Sequence, residues 1–304
     1  MTMHVPVLTK EVLEYLAPKP NENFIDGTVG QAGHTLLLLE KNGPNGKVLG
    51  IDLDQKQIEN ARLQTKSFGG RVILVHDSYA NIKEIAGENN FKPIDGILLD
   101  LGYSSWQLED SAKGFSFQKD EVLDMRYQSE ITNNKSQITN NLTASEIINT
   151  YPEESIKKIL EEYGEEKFAK QIAKKIIEER RKKRIQSTYQ LKEIIEKAVP
   201  ARFRFGRIHC ATKSFQALRI AVNDELGNLE RALPDAFSIL SSGGRLAVIS
   251  FHSLEDRIIK NFFKNTAKEG IAKELTKKPI MAADEEIRLN PRARSAKLRA
   301  IIKV

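Results

Sequence analysis

Carboxylates recur at the ends of short apolar runs in this chain. Asp26 follows Phe24-Ile25, Asp52 and Asp54 close the run from Val48, Asp77 follows Val72 to His76, and Asp100 follows Ile97-Leu98-Leu99. A fifth run, from Leu246, ends in Ser250-Phe251-His252-Ser253. Each run is short, rich in branched residues and bounded by Gly, Asn or Pro, which is the pattern of buried strands. In an open parallel sheet, ligands bind where the strands end. Polar residues released there gather along one edge.

What they release suits a nucleoside. After Asp26 comes Gly27-Thr28-Val29-Gly30-Gln31-Ala32-Gly33-His34. The spacing is not GxGxxG, so the dinucleotide fingerprint is absent. Glycines still permit close approach of backbone to a ligand, although a glycine cluster alone equally describes a tight strand-to-helix turn. An acid ending the next strand, Asp52, fits a ribose diol, because a carboxylate accepts both hydroxyl protons. Taken singly, Asp52 also reads as a turn or cap residue. Asp77-Ser78-Tyr79 after the third strand puts an aromatic where an adenine would lie. Loop, Asp52 and Tyr79 together describe a nucleoside site.

The elements that would hold these residues alternate. Helical patterns (34–42, 55–66 and 78–89) separate the strand runs 23–28, 47–54, 71–78 and 94–102. Such alternation predicts an α/β fold: a parallel sheet with helices on both faces. From 111 to 209 the pattern is helical, with a capping box at Thr143-Ala144-Ser145-Glu146. One long helix is expected across 213–240, then a strand at 245–253 and a last strand at 295–304. Residues 1–110 and 210–304 are therefore expected to form one discontinuous domain, and 111–209 a helical insertion. The repeat of Ile-Thr-Asn-Asn at 131–134 and 138–141 reads as a surface loop.

The bulk composition narrows the class. The chain has 304 residues, 40% hydrophobic and 29% charged, as in globular proteins. No apolar run approaches the ~20 residues that span a bilayer, and the first residues lack a signal peptide's apolar run. The single cysteine, Cys210, permits no internal disulfide, which fits a reducing, cytoplasmic setting. Cys210 reads as a small apolar residue, not a nucleophile. No cluster has the ligand spacing of a zinc site. The net charge is +6, and it is concentrated: residues 167–207 hold 14 Lys and Arg against 4 Glu, an excess of 14 − 4 = +10. The run Arg180-Arg181-Lys182-Lys183-Arg184 is followed by Arg202 and Arg204 interleaved with phenylalanines, and Arg292 and Arg294 add a second basic patch. A charge run is commonly a solvated helix face. Beside a nucleoside edge it favours phosphate contact.

The chain resembles the class I S-adenosylmethionine-dependent methyltransferases, and within them the bacterial small-subunit ribosomal RNA cytosine-N4 methyltransferases of the MraW/RsmH type. The resemblance is carried by HVPVL (4–8), DGTVGQAGH (26–34), DGILLDLGYSSWQL (95–108), GFSF (114–117), LDMR (123–126), YGEEKFAKQIA (163–173), FQALRIAVNDEL (215–226), GGRLAVISFHSLEDR (243–257) and NPRARSAKLR (290–299), in family order. It implies a Rossmann-like methyltransferase sheet and a helical substrate-recognition insertion. It implies S-adenosylmethionine as cofactor, held by Ala32, Gly33, His34, Asp52, Tyr79, Asp100 and Gln107. It implies methylation of a cytidine N4 amine in 16S ribosomal RNA, with the small ribosomal subunit as partner. Asp100 is the candidate for accepting the amine's N–H bond, and His252 a second candidate facing RNA or substrate. Tyr103 and Trp106 read either as packing or as a wall for a splayed-out base. Departures are Gln31 and Ala32 in place of glycines, and Trp106, Tyr103 and Cys210 at other familiar positions. Ala32 carries the expectation of a negative φ. An amine methyltransferase acting on DNA or protein, a non-enzymatic RNA-binding assembly factor, and a nucleotide-dependent oxidoreductase are the competing readings. The oligomeric state and the target nucleotide stay open.

Overall fold

The computed structural model describes residues 6–102, 112–127, 142–204, 206 and 208–304. The chain divides into two compact units. The first comprises Met1–Gly102 and Leu226–Val304, the second Tyr103–Glu225.

The first unit is a sheet with helices on both faces. Its elements run α1 (Thr9–Leu16), β1 (Phe24–Asp26), α2 (Gly33–Lys41), β2 (Val48–Asp52), α3 (Gln55–Gln64), β3 (Val72–His76), α4 (Ile82–Glu88) and β4 (Gly96–Asp100). The sheet order is β3-β2-β1-β4-β5-β8-β6. Strands β1 to β5, the last being β5 (Arg245–Ser250), pair in parallel. The last strand, β8 (Lys297–Lys303), is antiparallel to β5 and to two short strands, β6 (Ala272–Glu274) and β7 (Ile280–Met281). The chain order reverses at β1, between β2 and β4, so the switch point where α/β sheets bind ligands lies at Asp26.

Strand alternation sorts the core. Ile25, Ile97 and Leu99 point to one face and share a cluster with Ile82, Ile85, Leu229, Leu233 and Phe263. Phe24 and Leu98 point to the other face and pack with Val12, Leu16, Leu38 and Leu39. Both faces are covered, which is why these strands are continuously apolar instead of alternating. Helices α10 (Glu225–Ile239) and α11 (Ser253–Lys268) cover the first face. Among the described residues no helix is long and apolar enough to cross a membrane.

The second unit is helical: α5 (Ala144–Thr150), α6 (Glu153–Gly164), α7 (Ala169–Arg180), α8 (Thr188–Ala198) and α9 (Thr212–Asn223). The capping box at the start of α5 forms, with Glu146 N–H donating to Thr143 Oγ1 at 3.1 Å and Thr143 N–H to Glu146 Oε2 at 2.6 Å. Helices α5 and α6 are separate, because Pro152 cannot continue α5. The pattern across 213–240 likewise splits at Asp224, which takes a left-handed φ of 48°. Its first half, α9, buries Phe215, Leu218 and Val222 in the helical core with Leu160, Ile172 and Leu191. Helix α9 therefore belongs with the insertion, where the sequence reading grouped it with the strands. Gly164 lets the α6 end lie against the α9 backbone, where an added Cβ would sit 2.7 Å from Lys213 O.

Candidate active site at the strand ends

Three carboxylates stand side by side at the ends of β1, β2 and β4, and each has a different surrounding. Asp26 is 1% exposed. It accepts from Thr35 Oγ1 at 2.7 Å and from the Thr28 N–H at 3.2 Å. Burial nonetheless holds its carboxyl above the usual range. Asp52 accepts from the Gly30 N–H at 2.8 Å and the Asp54 N–H at 2.9 Å. Loss of water outweighs these two donors and pushes the Asp52 carboxyl up to about 7. Asp52 thus fastens the glycine loop to β2, a task beyond the ribose contact expected of it. Its oxygens keep further lone pairs for hydroxyl donors.

Asp100 is more open than Asp26, 19% exposed. Its backbone N–H donates to Thr28 Oγ1 at 2.7 Å, which ties the end of β4 to the glycine loop. Its Oδ2 lies 3.6 Å from Nε2 of His34, a ring only 6% exposed at the start of α2. Neither ring nitrogen of His34, nor Asp100 Oδ1, has a hydrogen-bond partner among the described residues. Buried polar atoms are nearly always satisfied, so a cluster of them at a strand edge marks a place for a polar ligand.

The loop carrying His34 is held from both sides. Gly33 packs against the proline of the N-terminal motif: an added Cβ would meet Pro6 Cγ at 2.8 Å. Gly30 takes a φ of 49°. Ala32 corrects the sequence expectation of a negative φ. It is fully buried, with φ 64°, and it caps α2 in the left-handed region. The surrounding contacts enforce that conformation against a cost of about 1–2 kcal/mol for a residue with a Cβ. Tyr79 follows β3 and packs on the core beside Gly27, whose added Cβ would stand 3.3 Å from Tyr79 Cβ. Asp77 does not face outward with it: Asp77 Oδ1 accepts from the Ser78 N–H and Asn81 Nδ2.

Ala32, Gly33, His34, Asp52, Tyr79 and Asp100 thus share one edge of the first unit. Gln107, Tyr103 and Trp106 lie outside the described residues. Thr28, Thr35 and Pro6 were not singled out from sequence. A hydroxyl in a strand-to-helix loop gives no local signal that it will brace a strand two elements away.

His252 stands at the end of the loop that follows β5. Its ring is 9% exposed and caps α11. Nδ1 accepts from the Glu255 N–H at 3.4 Å, and Nε2 lies 3.2 Å from Glu255 Oε1. Cys210 is partly buried, and loss of water raises its thiol further from the reactive thiolate.

The basic residues of the second unit also separate. Arg180 turns inward: Nη1 donates to Ile148 O at 2.9 Å and Tyr151 O at 2.7 Å, closing the end of α5. It is a structural cap of that helix end, unlike the neighbours with which it was grouped. Arg181, Lys182, Lys183 and Arg184 are exposed. Arg202 is exposed, and Arg204 Nε donates to Val199 O at 2.9 Å. In the first unit, Arg292 is half-buried and Arg294 exposed, both in a short turn at Pro291–Ser295.

The chain is similar to known proteins along its whole length. The MraW methylase family matches residues 1–304. The ribosomal RNA small subunit methyltransferase H of Heliobacterium modesticaldum is 45% identical over 317 residues, covering 99% of this chain and 98% of that protein. The protein of the same name from Sulfurihydrogenibium azorense is 46% identical over 299 residues, 98% of each. A solved rRNA methylase from Streptococcus thermophilus is similar at 9% identity with a TM-score of 0.46, 99% of each chain being covered. A match running from the first residue to the last, with relatives of equal extent, is more than a shared cofactor edge: this chain belongs to the MraW methylase family.

Proposed function

We propose that this protein transfers a methyl group from S-adenosylmethionine to the exocyclic N4 amine of a cytidine in small-subunit ribosomal RNA. The observation that carries the reading is the His34–Asp100 pair at the sheet's switch point, whose ring nitrogens and Oδ1 are buried with no hydrogen-bond partner among the described residues. Full-length relatives named for small-subunit ribosomal RNA methylation support the substrate. Action on ribosomal RNA is a cytoplasmic task.

The residues fit the cofactor. The loop Gly30–Gly33 offers backbone to its amino-acid portion, Asp52 offers a carboxylate to the ribose hydroxyls, and Tyr79 an aromatic face to the base. Two carboxylates at the edge suit a ligand that carries positive charge. When bound, S-adenosylmethionine supplies an electrophilic methyl on a sulfonium.

The chain's own residues must do the rest. The cytosine N4 lone pair is delocalised into the ring, so the amine is a weak nucleophile and has to be held in line. Asp100 accepts an N–H bond from it, which localises the lone pair, and takes up the proton the amine sheds. The Thr28 hydroxyl fixes the backbone of Asp100 for that task. His34 stands beside this carboxylate, its Nε2 3.6 Å from Oδ2. The exposed cations of the second unit hold RNA by its phosphates.

The test is incubation with labelled S-adenosylmethionine and separated small subunits, free RNA and DNA, followed by nucleoside analysis. Labelled N4-methylcytidine in ribosomal RNA is the expected product. Label in DNA or protein alone would move the activity to another amine, and no label with intact RNA binding would leave an assembly factor.

A further inference from the structure

Helix α7 carries both signs of charge, and the structure separates them. Glu178 and Glu179 are engaged on one flank: Lys175 Nζ lies 3.1 Å from Glu178 and 3.2 Å from Glu179, and Lys182 Nζ lies 3.0 Å from Glu179. Lys170, Lys174 and Arg181 are exposed, and none has an ion pair among the described residues. At about 100° per residue these three fall within roughly 40° of arc on the helix surface, away from the buried Ile172 and Ile176. The stripe extends about 16 Å from Lys170 to Arg181 at 1.5 Å per residue. A line of uncompensated cations on one helix flank is repelled by itself and attracts a polyanion.

An exposed aromatic stands at the N-terminal end of the stripe. Phe203 is 48% exposed. Its ring centroid is 5.2 Å from that of Phe168, the residue just before α7. Arg202 Cζ lies 4.8 Å from the Phe203 ring centroid. A solvent-facing phenylalanine carrying a guanidinium is the kind of surface on which an unpaired base stacks.

We infer that the second unit holds single-stranded RNA along one track, phosphates on Lys170, Lys174 and Arg181 and a base stacked on Phe203 with Arg202. The track rests on the ribosomal RNA reading and narrows it: of the basic run at 180–184 only Arg181 lies on this stripe, and Lys182 is neutralised by Glu179. The partner is chosen by charge, since the span 167–207 has an excess of +10.

The experiment compares two full-length variants of equal net charge, Lys170→Gln with Lys174→Gln, and Lys175→Gln with Lys182→Gln. Binding to an unpaired segment of small-subunit ribosomal RNA is measured across a salt series. The stripe pair should lower the salt slope by about 1.4, two contacts at roughly 0.7 each on single strands, and the other pair by less than half of that. A third variant, Phe203→Leu, keeps apolar bulk against Phe168. It should weaken binding roughly tenfold with an unchanged slope, because stacking is not ionic. Equal slopes from the two charge pairs would overturn the stripe, and wild-type affinity in Phe203→Leu would overturn the stacked base. Lack of salt-dependent binding by the unaltered chain would overturn the RNA reading itself, and the track with it.

Discussion

The Gly30 N–H donates to the Asp52 carboxylate across 2.8 Å, so the loop after β1 and the end of β2 are one hydrogen-bonded unit. Asp52 therefore shapes the loop as well as offering oxygens to a ligand. Asp52→Ala should weaken S-adenosylmethionine binding by roughly 1–3 kcal/mol, the usual loss for a charge-assisted bond. Calorimetry giving the wild-type affinity would take Asp52 out of the site.

The raised Asp52 carboxyl, near 7, gives this site a pH dependence with a definite sign. Below about 4 the group is neutral in both folded and unfolded chains. Between there and about 7 the unfolded chain ionises while the folded one does not, so this group lowers stability as pH rises, with the full loss above 7. Cofactor affinity should run the other way, because the ionised carboxylate accepts more hydroxyl protons and attracts the cation. Titrations from pH 6 to pH 8 should show tighter binding at the higher pH, and Asp52→Asn should flatten that trend.

Asp100→Asn keeps the shape and one acceptor oxygen but removes the charge. Single-turnover methylation at saturating cofactor should fall by about 10²–10⁴-fold, the usual range for a positioned acid–base group. Cofactor affinity should change much less. A normal single-turnover rate with weakened affinity would make Asp100 a cofactor ligand only.

Arg180→Gln removes the donor that serves the Ile148 and Tyr151 carbonyls. Stability should drop by roughly 1–2 kcal/mol in thermal melts, the cost of leaving such acceptors unpaired. The salt slope of RNA binding should stay as it was, in contrast to Arg181→Gln.

Ala32→Gly should raise the melting temperature slightly. Relief of the left-handed φ is worth about 1–2 kcal/mol, and the greater freedom of glycine in the unfolded chain takes back about 0.4–1. A lower melting temperature would mean that the buried Ala32 methyl contributes more packing than its backbone loses.

Much of this protein was legible locally. The runs ending at Asp26, Asp52 and Asp100 are continuously apolar because both sheet faces are covered, and that signal lies within each segment. The capping box at Thr143 and Glu146 is likewise a four-residue property. Because parallel strands release their next residues at one edge, these runs also predicted which side chains would gather. Tertiary structure decided what depends on partners distant in sequence. The short strands β6 and β7 exist only because β8 offers them an edge. Ala32 is left-handed because its loop is pinned between Asp52, Pro6 and the start of α2. Arg180 parts from Arg181 because helical geometry turns successive side chains by about 100°, aiming one at the end of α5 and the other at solvent. A residue's type states what bonds it can make, and only the folded chain determines which partners come within reach.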